Sequence, residues 1–352
     1  MKKYRVGIMG CTESDGQRLA VLLEGHPWFE TRVLAAQPAE AGKTYREAAE
    51  KWSQPRDIPA RLREMRVTDG EAEAVRIADE CDFVISAVAA PKTQARTWDE
   101  RMARLESPVI SLGRAHMSRA DVPLIIPEIN PQHAELIPAQ RRRLGTERGF
   151  IAAVPSCCAQ SCMPALQPLR EVGIRRLAVT ALLPQALLRD DIVPCGGGEE
   201  EGGEREMLKI WGSLDGGAVI PASAPEISVR CVHAPLSEAC AAAVFAELGE
   251  RVSAEEAARR MRDMISLPQR LRLPSAPLKP LHVFDAEARP RPQPDAHLEG
   301  GMAAAVGSLR QCGERGLSFI SMINGAVRGA AGSALLLAEL LCAQGYISGD
   351  KT

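Results

Sequence analysis

The chain has little of what would tie it to nucleic acid or to a membrane. Aromatic residues make up 4% of its 352 positions, too few for the stacking platforms that single-stranded nucleic acid needs. A formal net charge of −2 provides no attraction to nucleic acid or to an anionic lipid surface. No apolar run reaches bilayer-spanning length, and Met1-Lys2-Lys3-Tyr4 runs into a strand-like segment with no signal-type apolar block. The ten cysteines show no paired Cys-x-x-Cys or His-x-x-x-His spacing, so no metal site is expected. Without a secretion signal they read as reduced thiols of a cytoplasmic protein, not as a disulfide framework. What remains is an ordinary globular composition, 45% hydrophobic and 25% charged, in a chain long enough for two cores. A small-molecule substrate is the partner that fits it.

Residues 4–10 read as a strand ending in glycine, 17–24 as a helix and 29–36 as a second strand. Helical pattern follows over 72–80 and 94–105, with strands at 83–87 and 109–112. Such alternation predicts a parallel, doubly wound sheet over the first 150 residues. Longer strand candidates lie at 177–183, 303–309 and 318–322. Between them, 267–294 is thick with proline and reads as an extended arm rather than a helix. Gly196-Gly197-Gly198 and the acid run after it read as a turn into a helix carrying 207–211. Residues 327–341 are rich in Ala and Leu and predict one well-formed helix.

Val154-Pro155-Ser156-Cys157-Cys158 holds the most reactive prospect. The apolar run 150–154 reads as a strand and 159–170 as a helix, which puts Cys157 where the helix begins. Uncapped N–H groups and the positive end of the dipole favour a thiolate there, the form in which cysteine attacks acyl groups. The competing reading makes both cysteines small core residues. Pro164 stands inside the same helix and removes an N–H from it.

Four strings bear on the choice: Leu22-Leu23-Glu24-Gly25-His26-Pro27-Trp28-Phe29-Glu30, Asp121-Val122-Pro123-Leu124-Ile125-Ile126-Pro127-Glu128-Ile129-Asn130-Pro131, Leu273-Pro274-Ser275-Ala276-Pro277 and Arg328-Gly329-Ala330-Ala331-Gly332. Together they resemble the aspartate-semialdehyde dehydrogenase family in its archaeal and fungal-like branch. The resemblance implies an α/β fold: a Rossmann-type doubly wound parallel sheet over 1–153, then an α+β catalytic and dimerisation domain over 154–324. A C-terminal helix within 325–352 returns to the first domain. It also implies a homodimer or higher oligomer, and a nucleophile at Cys157, although Ser156 stands where the family has Asn.

Other family positions are changed. The phosphate-binding turn is Gly10-Cys11-Thr12-Glu13-Ser14-Asp15-Gly16, so Gly10, Thr12 and Gly16 persist while Glu13 takes the place of the middle glycine. One expectation is that the Glu13 carboxylate occupies the helix N-terminal anion site and imitates a phosphate. Ala39 stands where the resemblance implies the arginine that helps hold the 2′-phosphate of NADP, and the carboxylate of Glu40 sits next to it, which disfavours NADP and leaves NAD open. Met117 replaces a substrate-phosphate arginine, with Arg114 nearby. Glu199 keeps the acid of a Glu-x-x-Lys pair whose lysine has become Gly202. Arg230 and Cys240 align with their segment, but the acid/base histidine falls on Ser237. His233, four residues earlier, shares its face of the strand. A Ser-Gly-Ala-Gly loop gives way to residues 184–188, and an Asn to Gly325.

Three readings follow. One is a repurposed cysteine-dependent, thioester-forming enzyme using Cys157, with Glu199, Arg230 and Arg114 toward substrate and His233 as spare acid/base. Another is a non-catalytic homologue serving as a partner subunit. The third is an NAD(P)-dependent semialdehyde dehydrogenase with a compensated site.

Overall fold

The computed structural model describes residues 2–184, 191–196, 198–285 and 288–349. In the first half, short apolar strands alternate with helices that cover the sheet. β1 (Tyr4–Met9), β2 (Phe29–Ala36), β3 (Thr68–Asp69), β4 (Phe83–Ser86), β5 (Val109–Ser111) and β6 (Ile151–Ala153) form a parallel sheet in the order β3-β2-β1-β4-β5-β6. The order reverses between β1 and β4, where sheets of this kind open a crevice beyond their carboxyl ends. Gly10 closes the end of β1 with φ +76°, and a Cβ there would stand 2.7 Å from the Ala87 carbonyl oxygen. A side chain at Gly16 would collide with the Gly10 carbonyl oxygen, so both ends of the turn require glycine.

The second half is built on a mixed sheet. Its strands are β7 (Ile174–Pro184), β8 (Val193–Pro194), β11 (Glu226–Ala234), β12 (Ala239–Leu248), β13 (Leu281–Val283), β14 (Ala304–Cys312) and β15 (Gly316–Asn324), in the order β13-β14-β15-β12-β7-β11-β8. The hairpin β9 (Ser213–Asp215) and β10 (Ala218–Ile220) stands apart. The cysteine helix, Cys157–Leu166, packs on one face of this sheet through Cys162, Ala165 and Leu166. From Gln167 it tightens into a 3-10 helix to Val172, so regular α-helix ends two residues beyond Pro164.

The C-terminal segment opens with a π-helical turn, Val327–Ala331, before the α-helix Gly332–Ala343. Leu335 to Leu341 then join Val6, Ile8, Phe29 and Leu34 in the core of the first sheet, which is the return to the first domain implied by the resemblance. The proline-rich segment is a correction. It is more structured than an extended arm, with a helix Leu267–Leu271, a helical turn Pro292–Asp295, and β13 paired in parallel with β14. Pro268 and Pro292 lie in the first turn of their helices, where a missing N–H costs no hydrogen bond, and β13 contains no proline.

Two buried carboxylates tie distant segments together. Glu339 accepts from His26 at 2.8 Å and from the N–H and Oγ of Ser275 at 3.0 and 2.6 Å. Glu128 receives both guanidinium nitrogens of Arg328, at 2.5 and 2.9 Å. The four strings that carry the family resemblance thus meet through these two acids. Among the described residues no helix is long and apolar enough to cross a membrane.

Candidate active site

Ser156 caps the cysteine helix: its backbone is extended (φ −63°, ψ 158°) and its Oγ accepts from the Ala159 N–H, as N-cap serines do. The same hydroxyl donates to Glu206 at 2.5 Å, and the Ser156 N–H donates to the other Glu206 oxygen at 2.6 Å. Glu206 belongs to the acidic helix Glu199–Ile210 and is 1% exposed. Burial pushes its carboxyl up, while the Ser156 bonds and the charges of Arg114 and Lys209 oppose that shift. This clamp leaves Cys157 half-buried at the first helical position, beside the free N–H groups of the first turn.

Glycines make room for the thiol. A Cβ on Gly329 would stand 2.8 Å from Cys157 Sγ, and one on Gly325 would stand 3.3 Å away. Gly329 lies in the π turn, a distortion often found at functional sites. Arg328 anchors that turn to Glu128, and the Ser333 hydroxyl donates to Gln160 of the cysteine helix at 3.0 Å. Beneath the thiol, Cys240 Sγ is 3.5 Å from the Cys157 carbonyl oxygen. Alongside, Glu238 pairs with Arg18 of the first helix. The Glu238 carbonyl also receives the Gly325 N–H at 2.6 Å, and its carboxylate receives Asn324 Nδ2 at 3.3 Å.

The structure separates the remaining sequence candidates. Arg114 forms an ion pair with Glu199. Its guanidinium also fills the space beside Gly202, 2.6 Å from where a Cβ would be, so a side chain at 202 and Arg114 in this pose exclude each other. The Arg114 Nε is buried without a partner among the described residues. Arg230 is exposed and donates to Glu200 at 2.6 Å. It aligns with Thr180 of β7, on the opposite sheet face from Cys231. His233 lies on the Cys231 face, half-buried, its Nδ1 without a partner among the described residues, and no hydrogen bond joins it to Cys157. Ser237 is an exposed turn residue with φ +54°. Residues 185–190 and Gly197, which include most of the segment replacing the family's glycine loop, lie outside the described residues. Sequence reasoning missed Glu206, Glu238 and Arg18 because each acts through a partner far along the chain.

The crevice at the switch point has a volume of about 260 Å³. Glu13, Glu40 and Glu71 line it beside Trp98, and among the described residues its lining includes no Lys or Arg. Thr12 Oγ1 donates to Glu40 at 3.0 Å. Burial raises the Glu13 carboxyl above its usual range, reinforced by Glu40 and Asp15. Glu13 is the N-cap of the first helix, Ser14–Leu22, yet its side chain makes no capping hydrogen bond. The expectation that it occupies the anion site as a phosphate mimic is therefore not met. N-cap preference runs to the shorter Ser, Thr, Asp and Asn, and this carboxylate is turned to the crevice.

The semialdehyde dehydrogenase NAD binding domain model matches residues 5–137, and the semialdehyde dehydrogenase dimerisation domain model matches residues 165–327. The chain belongs to the aspartate-semialdehyde dehydrogenase family. It is 37% identical to the aspartate-semialdehyde dehydrogenase of Methanothermobacter thermautotrophicus, over 96% of this chain and 98% of that protein. It is 32% identical to that of Aspergillus fumigatus, over 98% and 99%. Among solved structures, the Candida albicans enzyme with NADP superposes with a TM-score of 0.89 at 28% identity, over 98% of this chain and 100% of that one.

Proposed function

We propose that this family member is a cysteine-dependent acyl enzyme, in which Cys157 takes an acyl group from a thioester or another activated carbonyl without hydride transfer to NADP. One contrast carries the reading. The seat of the nucleophile is fully built, from Ser156, Glu206, Gly325 and Gly329, while the crevice where a dinucleotide would lie presents three carboxylates and no cation. A diphosphate placed there meets like charge from Glu13 and Glu40, and a side chain at Glu13 where close backbone approach is needed. These residues do not fit NADP, and no step is derived through it.

In the proposed step the Cys157 thiolate attacks the carbonyl carbon and the leaving thiolate departs, giving an acyl-cysteine that water or an acceptor then resolves. Arg114 is the cation placed to hold a substrate carboxylate, with Glu199 orienting its guanidinium. Arg230, on the opposite sheet face from Cys231 and paired with Glu200, takes no part in this step.

The test pairs two measurements on the purified protein. An activated acyl thioester should leave an adduct on the Cys157 peptide that Cys157→Ala abolishes, and calorimetry with NADH and NADPH should show no binding at millimolar cofactor. Absence of an adduct on an alkylatable Cys157 would favour the non-catalytic subunit. Micromolar dinucleotide binding would favour the compensated dehydrogenase, a reading supported by the retained glycine turn at Gly10 and Gly16.

A further inference from the structure

Six of the ten cysteines converge around the start of the cysteine helix, and four of them form two pairs. Cys157 and Cys158 are consecutive, so their side chains diverge. Cys158 meets Cys231 on β11, and Cys157 meets Cys240 on β12. Cys162 lies a turn further along the helix, and Cys195 donates its N–H to the Cys231 carbonyl at 2.9 Å. Among the described residues no group of these side chains is arranged to hold a metal ion, which leaves the thiols themselves to account for.

The pair at the nucleophile is asymmetric. Cys157 is half-buried and reachable, whereas Cys240 is 0% exposed. Its Sγ stands 3.5 Å from the Cys157 carbonyl oxygen, and its thiol is within hydrogen-bonding reach of the Cys157 thiol. Contact with the neighbouring sulfur and burial both keep Cys240 protonated. A small oxidant entering the pocket meets Cys157 first and cannot reach Cys240 directly.

We infer that Cys157 and Cys240 form a reversible thiol–disulfide couple, in which Cys240 captures Cys157 after a peroxide has oxidised it. The Cys157 thiolate attacks one oxygen of hydrogen peroxide, giving the sulfenic acid and hydroxide. The Cys240 sulfur then bonds to the sulfenic sulfur, and the sulfenic hydroxyl leaves with the Cys240 proton as water. Peroxide is reduced and two thiols are oxidised, with no other reactant. Contact gives the second step a high effective concentration, and it diverts Cys157 from irreversible oxidation to the sulfinic acid. While the bond holds, no acyl group can be taken up; a thiol reductant restores the pair.

The experiment treats the intact protein with stoichiometric hydrogen peroxide, blocks free thiols under denaturing conditions, and maps the peptides by mass. The expected result is two fewer titratable thiols, a peptide joining Cys157 to Cys240, and full recovery of both thiols with dithiothreitol. Cys240→Ser should show no cross-link and several-fold more sulfinic acid on Cys157. If that variant fails to fold, the wild-type peptide map still decides. A cross-link to Cys162, or sulfinic acid on wild-type Cys157 without a cross-link, overturns the inference. Neither outcome touches the proposed acyl chemistry, which fails separately if peroxide and alkylating agents both leave Cys157 unmodified.

Discussion

At the level of single residues, the thiol of Cys157 is positioned by what its neighbours lack. A methyl group on Gly329 would stand 2.8 Å from Cys157 Sγ, closer than nonbonded atoms tolerate. Gly329→Ala is therefore expected to push the thiol off its seat and slow its alkylation by iodoacetamide roughly ten- to a hundredfold, at an overpacking cost of about 1–3 kcal/mol. Gly325→Ala, with 3.3 Å to the same sulfur, should have the smaller effect. Equal alkylation rates in wild type and Gly329→Ala would show that the glycine does not seat the thiol. The cysteine at a helix start was legible in the sequence because the strand pattern, Pro155 and the helical pattern bracket it. The function of Ser156 was not legible: the helix start reads as uncapped, whereas Ser156 caps it, and Glu206, the acid that fixes this cap, lies fifty residues further on in a run that reads as a solvated acidic helix.

Whole elements show the same division between local and distant causes. Strand alternation in the first half follows from short-range pattern, so the parallel doubly wound sheet was legible, whereas the two-residue strand Thr68–Asp69 and the strand order, set by long-range pairing, were not. In the proline-rich segment, proline count predicts an extended arm, but proline position decides the structure: Pro268 and Pro292 are in first turns, and residues 281–283 are free to pair. Lys209 was invisible, one lysine on a polar-looking helix. Its ammonium donates to the carbonyls of Met117, Arg119 and Val122 at 3.1, 2.6 and 2.9 Å, stapling the acidic helix to the loop that carries Arg114. Lys209→Met would strand three carbonyls and should cost about 2–3 kcal/mol, with weaker anchoring of Arg114. Burial pushes the Lys209 ammonium down to about 8, against the opposing charges of Asp121 and Glu206. Between pH 8 and the lysine's ordinary value of 10.5 the unfolded chain binds the extra proton. Stability should therefore rise with pH across that window, by up to about 1.4 kcal/mol per unit from this group. Below about pH 8 both states are protonated and the contribution is flat. Urea unfolding of wild type and Lys209→Met across the window isolates the effect; identical slopes would contradict it.

Over the whole molecule, one face of the second sheet is exposed among the described residues. The rows Thr180–Ala243–Ile320 and Ala178–Phe245–Ser318 run across β7, β12 and β15 in register. Phe245 is 39% exposed and Ile320 38% exposed, two large apolar groups among small neighbours on a flat surface. An isolated chain would have to keep this patch in water, at a cost of about 25 cal/mol for each Å² of apolar area. The face lies within the residues matched by the dimerisation domain model, and a second copy meeting it sheet to sheet would bury both aromatic rings centrally, where association energy concentrates. Sedimentation equilibrium should then give twice the chain mass of 37.9 kDa. Phe245→Asp should weaken association by roughly 30-fold or more, equivalent to at least about 2 kcal/mol. The substitution leaves the Cys157 seat untouched, since Phe245 points away from the cysteine helix. A variant that falls to monomer but keeps wild-type alkylation of Cys157 would mean that each chain carries a complete site. Loss of both together would mean that the sheet-to-sheet contact also holds the nucleophile in place, and an unaltered dimer would assign the interface to another surface.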